Sequence, residues 1–544
     1  MRRNMNVALV SLGLLLGTTD CNDFLTGKKL STDPNNPSAA RIQTLFVGIQ
    51  GAQFAFQEGL TPMMVCMWVQ QCGATNGRFV EQAGRYVFGA GSNIGANGGD
   101  WNLVYTAGGL IDMDTIAAIS TRAGDSLYLG IDLVWKGFTL GSAADLWGSI
   151  PYSELRTSTT PALDSQLVVY GAVQDILTRA ITALNSGVTT LPSPPDLVFG
   201  DSVSQWVATA NTLKARYWMH VVEAATEGKL PGLTQAAVFD SALKYAALGI
   251  SDPTGAGDFR SFHTGNGYPQ SNMWFQFQDN SAFGGDLESG KSMVDYMNAR
   301  KDPRRADYLC PLASGTWKAT KAFALDDEIG DANSNLQKAT TAGTSGAVKP
   351  TWNTTVGGTT TDGTVTWTNL GPNYAGDDFN VGAGPNGISA FDCEPTRFSG
   401  DFRVPFVTYQ ETQLILAEAN LALGNTAPAQ ARLNAAYAVV TGLASSATGV
   451  IGAALQDSIM MEKYVVMFQN IEALSDYRRT CIPSLTPVTP NVLTLPAVPG
   501  ELYYPQIERN ANSNIPPESQ EVAAGVRTQS DVFPCTGPGA KAYP

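Results

Sequence analysis

Apolar residues recur at helical spacing along most of the chain. From near Ser38, Ile42, Leu45, Phe46, Ile49, Ala52, Phe54 and Phe56 keep mostly that period, and residues 63–69 continue it in apolar fashion. The same pattern predicts helices over 101–121, with Trp101, Tyr105 and Leu110 on one side, and over 127–146, broken by the SIPYSEL that carries Pro151. Further helices are predicted over 167–185, over 203–227 with a stop at Gly228, over 236–249 and over 454–479. Residues 408–443 read as helix, turn and helix, with apolar Leu414, Ile415 and Ala419, a stop at Gly424 and a restart at Pro428.

Three stretches break the helical period. QQCGATNGRFVEQAGRYVFGAGSNIGANGGD, at 70–100, is glycine-rich with scattered Arg and aromatic residues and reads as an irregular loop over a helical platform. Residues 251–285 return to loop chemistry, with Phe262, His263, Tyr268, Trp274 and Phe275 among Gly, Asn and Pro. Residues 350–371, PTWNTTVGGTTTDGTVTWTNLG, change the period altogether. There Asp362-Gly363 is a hairpin signal, and Thr364-Val365-Thr366-Trp367-Thr368 alternates as a half-exposed strand. Packing is the expected role of Trp352 and Trp367, because so small a β-unit needs large aromatic side chains to fold. The tail from 483 to 544 is proline-rich and irregular.

The first residues belong to export rather than to the fold. Arg2 and Arg3 precede the apolar run VALVSLGLLLG and then small and polar residues up to Cys21, the layout of a signal peptide over 1–20 rather than of a membrane span. Cys21 directly after such a run resembles the lipid-acceptor cysteine of bacterial lipoproteins, although Asp20 departs from the usual small residue; an ordinary cleaved signal is the alternative. Residues 21–37, polar and rich in Pro and Asn, read as a tether.

Charge and composition narrow the function. A net charge of −14 with 15% charged residues argues against a phosphate-tracking surface, so nucleic acid is not an expected partner. Only His220 and His263 are present, which leaves little for histidine acid–base chemistry or a multi-histidine metal site. His220 reads as a packing residue and His263 as the better ligand contact. Gly382–Gly387 formally matches a dinucleotide turn, but no strand precedes it and Pro385 obstructs the backbone. Asp331, Asn333 and Asn335 mimic the start of a calcium loop that Leu336 spoils. The acids 326–328 and 377–378 could flank a glycosidic bond, and read instead as solvated loop residues. Catalytic residues, metal ligands and cofactors are therefore all expected to be none. Six cysteines beyond Cys21 permit disulfides in an exported chain; Cys310 and Cys393 bracket the β-stretch, so a bridge across its base is a reasonable expectation.

Several separated motifs resemble one family. DLWGSIPYSEL at 145–155, DLVFGDSVSQWVATANTLKARYWMHV at 196–221, YMNARKDPRR at 296–305, VTYQETQLILAEA at 407–419 and LYYPQIERNANSN at 502–514 follow, in order, the motifs of SusD/RagB-like outer-membrane nutrient-binding lipoproteins. Leu423-Gly424 followed by Ala429, Leu433 and Ala436 is similar to a tetratricopeptide unit. The resemblance implies a mostly α fold, a right-handed tetratricopeptide-like helical solenoid with long irregular loops, spanning 38–311 and 372–544. Residues 312–371 have no place in the family pattern; LQKATTAGTSGAVKPTWNTTVGGTTTDGTVTWTNLG within them resembles a small all-β module of phage tail and other exported proteins.

The resemblance further implies a non-enzymatic, surface-exposed lipoprotein of the cell outer membrane. Such a protein captures oligosaccharides, or in some members peptides, and delivers them to a SusC-like TonB-dependent transporter. Sugar rings stack on aromatic faces while amides and guanidinium groups take their hydroxyls. In chain order the family's ligand loops correspond to 73–100 and 261–279, and the expected contacts are Arg78, Phe79, Tyr86, Tyr268 and Trp274. The alternative function is surface adhesion or interaction, with the β-insert as the binding part.

Overall fold

The computed structural model describes residues 41–75, 77–80, 83–86, 99–280, 284–489, 497–524 and 535. The signal, Cys21, the tether and part of the 70–100 loop lie outside the described residues. What is described is mostly helical, with short two-stranded ribbons and one four-stranded sheet.

Helices that follow one another in sequence pack one on the next. Ser126–Trp147 lies on Gln166–Ser186, that helix on Val203–Met219, and that in turn on Gln235–Ala246. The series resumes at Tyr409–Ala422, which packs on Gln235–Ala246 and pairs with Thr426–Ala438 and Gly452–Val466. Everything from 250 to 408 is therefore a long excursion from the helical stack, and it contains both an expected ligand loop and the β-strands.

Three long helices expected from periodicity are each broken in two. Gly99–Tyr105 and Leu110–Ala123 are separated at Gly108 and Gly109, where the Asp112 carboxylate accepts the Gly108 N–H at 2.7 Å. Val203–Met219 stops at His220 before Val222–Thr226. Gly452–Val466 and Glu472–Thr480 are divided by a turn in which Gln469 has a left-handed φ of 68°. In the last two cases the break brings charged side chains into the interior.

That interior is crossed by ion pairs between remote helices. Arg216 grips Glu411 with two bonds of 2.6 Å and also donates to the Phe406 carbonyl. His220 places Nδ1 2.7 Å from Asp145 and Nε2 3.0 Å from Glu472. Lys463 lies 2.8 Å from Asp476, and Arg479 bonds both Asp476 and Glu418. Arg304 joins Asp302 at 2.7 Å and Glu462 at 2.9 Å. Burial alone would push the His220 pKa down, but the Asp145 and Glu472 carboxylates outweigh it and hold it at about 10.

The motifs read from the sequence are these fastenings. Asp196 accepts from the N–H groups of Val198 and Asp201 and from the Trp206 indole at 2.8 Å, closing the turn into its helix. Lys214 donates to the Gln174 carbonyl and the Thr178 hydroxyl of the neighbouring helix. Gly148 has a φ of 69° and the Glu501 carboxylate fills the space a Cβ would take, so the chain turns there only without a side chain. Glu508 accepts from Trp101 at 3.3 Å, and Asn512 donates to the Pro161 carbonyl at 2.9 Å.

Residues 322–372 build a second core. Thr359–Asp362 pairs antiparallel with Val365–Pro372, that strand with Asn335–Thr341, and that with Glu328–Gly330. Gly363, with a φ of 62°, lets the hairpin turn. Phe323, Ile329, Ala339, Trp352, Val365 and Trp367 pack together apart from the main core, the two tryptophan rings 6.0 Å apart. Buried Asp362 is their polar hub, accepting from Trp317 at 2.7 Å, Trp367 at 3.2 Å and the Gly346 N–H at 2.8 Å. The strands join the body where Asn373 bonds both Leu312 and Ala313 and where a disulfide links Cys310 to Cys393. Disulfides also link Cys66 to Cys72 and Cys481 to Cys535.

Candidate functional site

The two loops singled out in the sequence meet in space. Cys72–Ala74 pairs antiparallel with Leu287–Ser289, the Thr75 N–H donates to the Asp286 carbonyl at 3.0 Å, and the Phe79 ring lies 5.4 Å from Phe277. Arg78 sits in the helical turn Gly77–Val80, and its side chain is outside the described residues.

Three of the expected contacts are turned inward. Phe79 is 1% exposed and Trp274 0%, and Trp274 packs edge-on against Phe398 at 5.8 Å. Tyr86 is buried too; its hydroxyl accepts the Val488 N–H at 3.0 Å, and burial pushes its pKa up to about 12. Phe79, Tyr86 and Trp274 are thus core residues rather than ligand contacts. The loops fold back over the body, and side chains of this size seal the join because their burial contributes more than any polar neighbour does.

Tyr268 is different. It is 42% exposed, and its hydroxyl is tied to the Gln276 carbonyl, which fixes the ring. Phe262, at 38% exposure, is the second ring on this segment, and the Arg403 guanidinium lies 5.4 Å from its centroid. Arg403 is held in turn by its Nε bond of 2.6 Å to the Ser261 carbonyl. Asn266, between the two rings in sequence, and Pro269 and Gln270, after the second, are exposed.

The segment is pinned from beneath. Glu58, fully buried at the end of the helix Ile42–Glu58, accepts from His263 Nε2 at 2.9 Å and from the Met273 N–H at 3.2 Å. Asn272 caps Met273–Asp279 through the Phe275 N–H and donates to the Ser399 carbonyl. His263 is therefore an anchor for the loop, not a free contact. What results is a fixed, exposed strip with two aromatic rings, a guanidinium and two side-chain amides, the set that recognises a ring with apolar faces and hydroxyl edges. Sequence reasoning missed Arg403: it is far downstream of Phe262, and nothing local marks it as a partner.

The other acid and base groups are committed to structure. Asp145, His220 and Glu472 form the one group among the described residues whose spacing could suit a metal, but each imidazole nitrogen already faces a carboxylate oxygen at hydrogen-bond distance. Asp377, expected in solvent, is buried, and burial raises its pKa. It lies under Gly73, where a Cβ would meet its side chain. Asp331 accepts the N–H groups of Asn333 and Asn335, so the calcium-like triplet is a self-bonded turn.

Residues 34–345 match a SusD-like family model, described as "Starch-binding associating with outer membrane". No curated protein matches the sequence. A chitin-binding SusD homolog from Flavobacterium johnsoniae superposes with a TM-score of 0.64 at 18% identity, covering 91% of this chain and 99% of that one. A SusD homolog from Bacteroides uniformis gives 0.60 at 18%, over 90% and 98%. A SusD/RagB family protein from Bacteroides thetaiotaomicron gives 0.59 at 17%, over 92% and 100%. At these identities the likeness establishes the fold.

Proposed function

Because the chain belongs to the SusD-like family, described as starch-binding and associating with the outer membrane, we propose that it is a non-catalytic binding protein that captures oligosaccharides on the strip 262–270. The observation that carries this reading is the exposed pair Phe262 and Tyr268 with Arg403 across the first ring. The chitin-binding relative of the same fold supports a glycan rather than a peptide. With Tyr268 tied to Gln276 and the segment anchored through His263 to Glu58, the strip loses little freedom on stacking against a sugar.

Lipidation at Cys21, a place on the cell surface and delivery to a SusC-like TonB-dependent transporter complete the proposal. Acyl labelling lost in Cys21→Ala, and co-purification with a large β-barrel after mild detergent extraction, are the expected results; labelling that persists contradicts the anchor.

Calorimetric titration with maltohexaose and chitohexaose tests the binding strip. Wild type should bind at least one, and the double change Phe262→Ala with Tyr268→Ala should weaken it by about tenfold or more. Unchanged affinity in the double variant overturns the assignment. The alternative, in which residues 312–371 are the binding part, draws on the exposed Leu325, Val348 and Val356 of that insert. Removing 312–371 should leave sugar binding intact under our reading and abolish it under the alternative.

A further inference from the structure

A cavity of about 410 Å3 lies where the strand Phe259–Arg260, residues 303–308 and the turn Thr396–Phe398 meet residues 439–441 beyond the helix Thr426–Ala438. Its three guanidinium groups are unequally satisfied. Arg304 is spent on Asp302 and Glu462. Arg260 reaches Asp258 at 2.6 Å through one terminal nitrogen, while its buried Nε has no hydrogen-bond partner among the described residues. Arg397 rests against the rings of Tyr308 and Phe402, 4.3 and 5.6 Å from their centroids, and its one hydrogen bond to a carbonyl is to Phe468 at 2.9 Å. Among the described residues no carboxylate forms an ion pair with Arg397.

The carboxylates of the lining are already engaged. Asp258 holds Arg260 and accepts the Tyr409 N–H at 2.8 Å; Asp307 accepts the Thr396 hydroxyl at 2.9 Å. Burial pushes the Arg397 guanidinium below its ordinary range, and the charges of Arg260 and Arg304 act in the same direction, against the opposing pull of Tyr308 and Asp307. A guanidinium that forms no ion pair among the described residues, with only the more distant charge of Asp307 opposing it, is thus kept in a cavity of a chain whose net charge is −14. Such a site is unfavourable when empty and gains from an anion more than an exposed arginine would.

We propose that this cavity takes the uronic-acid residue of an acidic oligosaccharide, its carboxylate bound by Arg397 and by Nε of Arg260. This rests on the reading of the protein as a glycan binder and specifies the class of glycan. Thr441 and Gln410 bring further hydroxyl and amide groups to the wall, suited to ring hydroxyls. The volume is at the small end for ligand sites and suits a ring more than an extended peptide. Phe262 follows Arg260 by two residues, so one chain of sugars could reach both the strip and the cavity.

Calorimetry compares trigalacturonate with its fully methyl-esterified form, which has the same rings without the charges. The acid should bind wild type at least about tenfold more tightly, a preference that salt reduces and that Arg397→Gln removes. Arg260→Gln should reduce the preference as well; its side chain is 38% exposed, so that variant, with its thermal midpoint measured alongside, serves if Arg397→Gln does not fold. Equal affinity for acid and ester overturns the inference, as does a preference that survives Arg260→Gln undiminished, or a tetraglutamate peptide bound as tightly as the sugar acid. Binding of the ester or of maltohexaose without acid preference removes this inference alone. Failure to bind any sugar removes it together with the glycan reading.

Discussion

In the helical body, charged side chains cross the interior between helices far apart in sequence; in the strands of 322–372, one aspartate and a few aromatic rings do the same work locally. Arg216 reaches Glu411 and His220 reaches Asp145 and Glu472, whereas Asp362 collects Trp367 from its own hairpin and Trp317 from the chain just ahead of the sheet. The contrast follows from geometry. A stack of helices with nearly all-round burial, such as Ser126–Trp147, needs directional bonds to set which helix lies where. A small twisted sheet already has its register set by its hairpin and needs only volume inside.

If the contrast is right, the two regions should fail differently. The largest effect is expected from Glu472→Ala, which takes one buried carboxylate away from His220, Lys463 and Arg216 together. A loss of about 3–5 kcal/mol in denaturant unfolding, for the body as a whole, is the expected outcome. A change below about 1 kcal/mol would mean that the buried charges do not organise the stack. Trp367→Ala should cost about 3 kcal/mol, confined to the insert. Limited proteolysis should then cut within 322–372 while the melting of the body is unchanged; a body that melts with it would mean one core, not two.

The pH response is expected to be specific to the body. His220 is held protonated with a pKa of about 10 against an unfolded value of 6.5. Its contribution to stability is complete below pH 6.5, declines above it and is gone beyond about pH 10. Glu501, which burial raises to about 8, shifts stability in the same sense. Glu472 acts at the other end: burial would raise its pKa, but His220, Lys463 and Arg216 hold it well below the usual range, so its contribution is lost as the medium is acidified below about pH 4.5. The thermal midpoint should therefore fall from pH 6.5 to pH 10, with a shallower fall in His220→Gln. A flat profile in wild type would contradict the clamp. Smallest of all, Tyr268→Ala should move stability by no more than about 1 kcal/mol while weakening sugar binding, because the side chain is 42% exposed and gives up one surface hydrogen bond.

The same contrast explains what could be read from the sequence. Hairpin chemistry at Asp362-Gly363 and the period-two run after it are local signals, and they indicated that hairpin and the packing role of its tryptophans, but not the strands of 322–344 that join it. The order of motifs from 145 to 514 indicated the family, although the partners that make those motifs work, such as Glu411 for Arg216, lie about two hundred residues away. Helix breaks at His220 and Gln469 were invisible to periodicity, because apolar spacing continues through them and a tertiary ion pair decides the turn. The binding strip was half legible. Aromatic rings in polar loops are an ambiguous signal, and only long-range packing, Trp274 on Phe398 or Phe79 on Phe277, separates those that seal the body from Phe262 and Tyr268, which face out.

Hydrogen exchange of the full chain, with and without saturating maltohexaose or chitohexaose, tests most directly whether the body or the insert holds the ligand. Protection should rise in peptides covering 259–271 and 397–403 and stay unchanged across 312–371. Protection confined to 312–371 would contradict the assignment and make the insert the binding part.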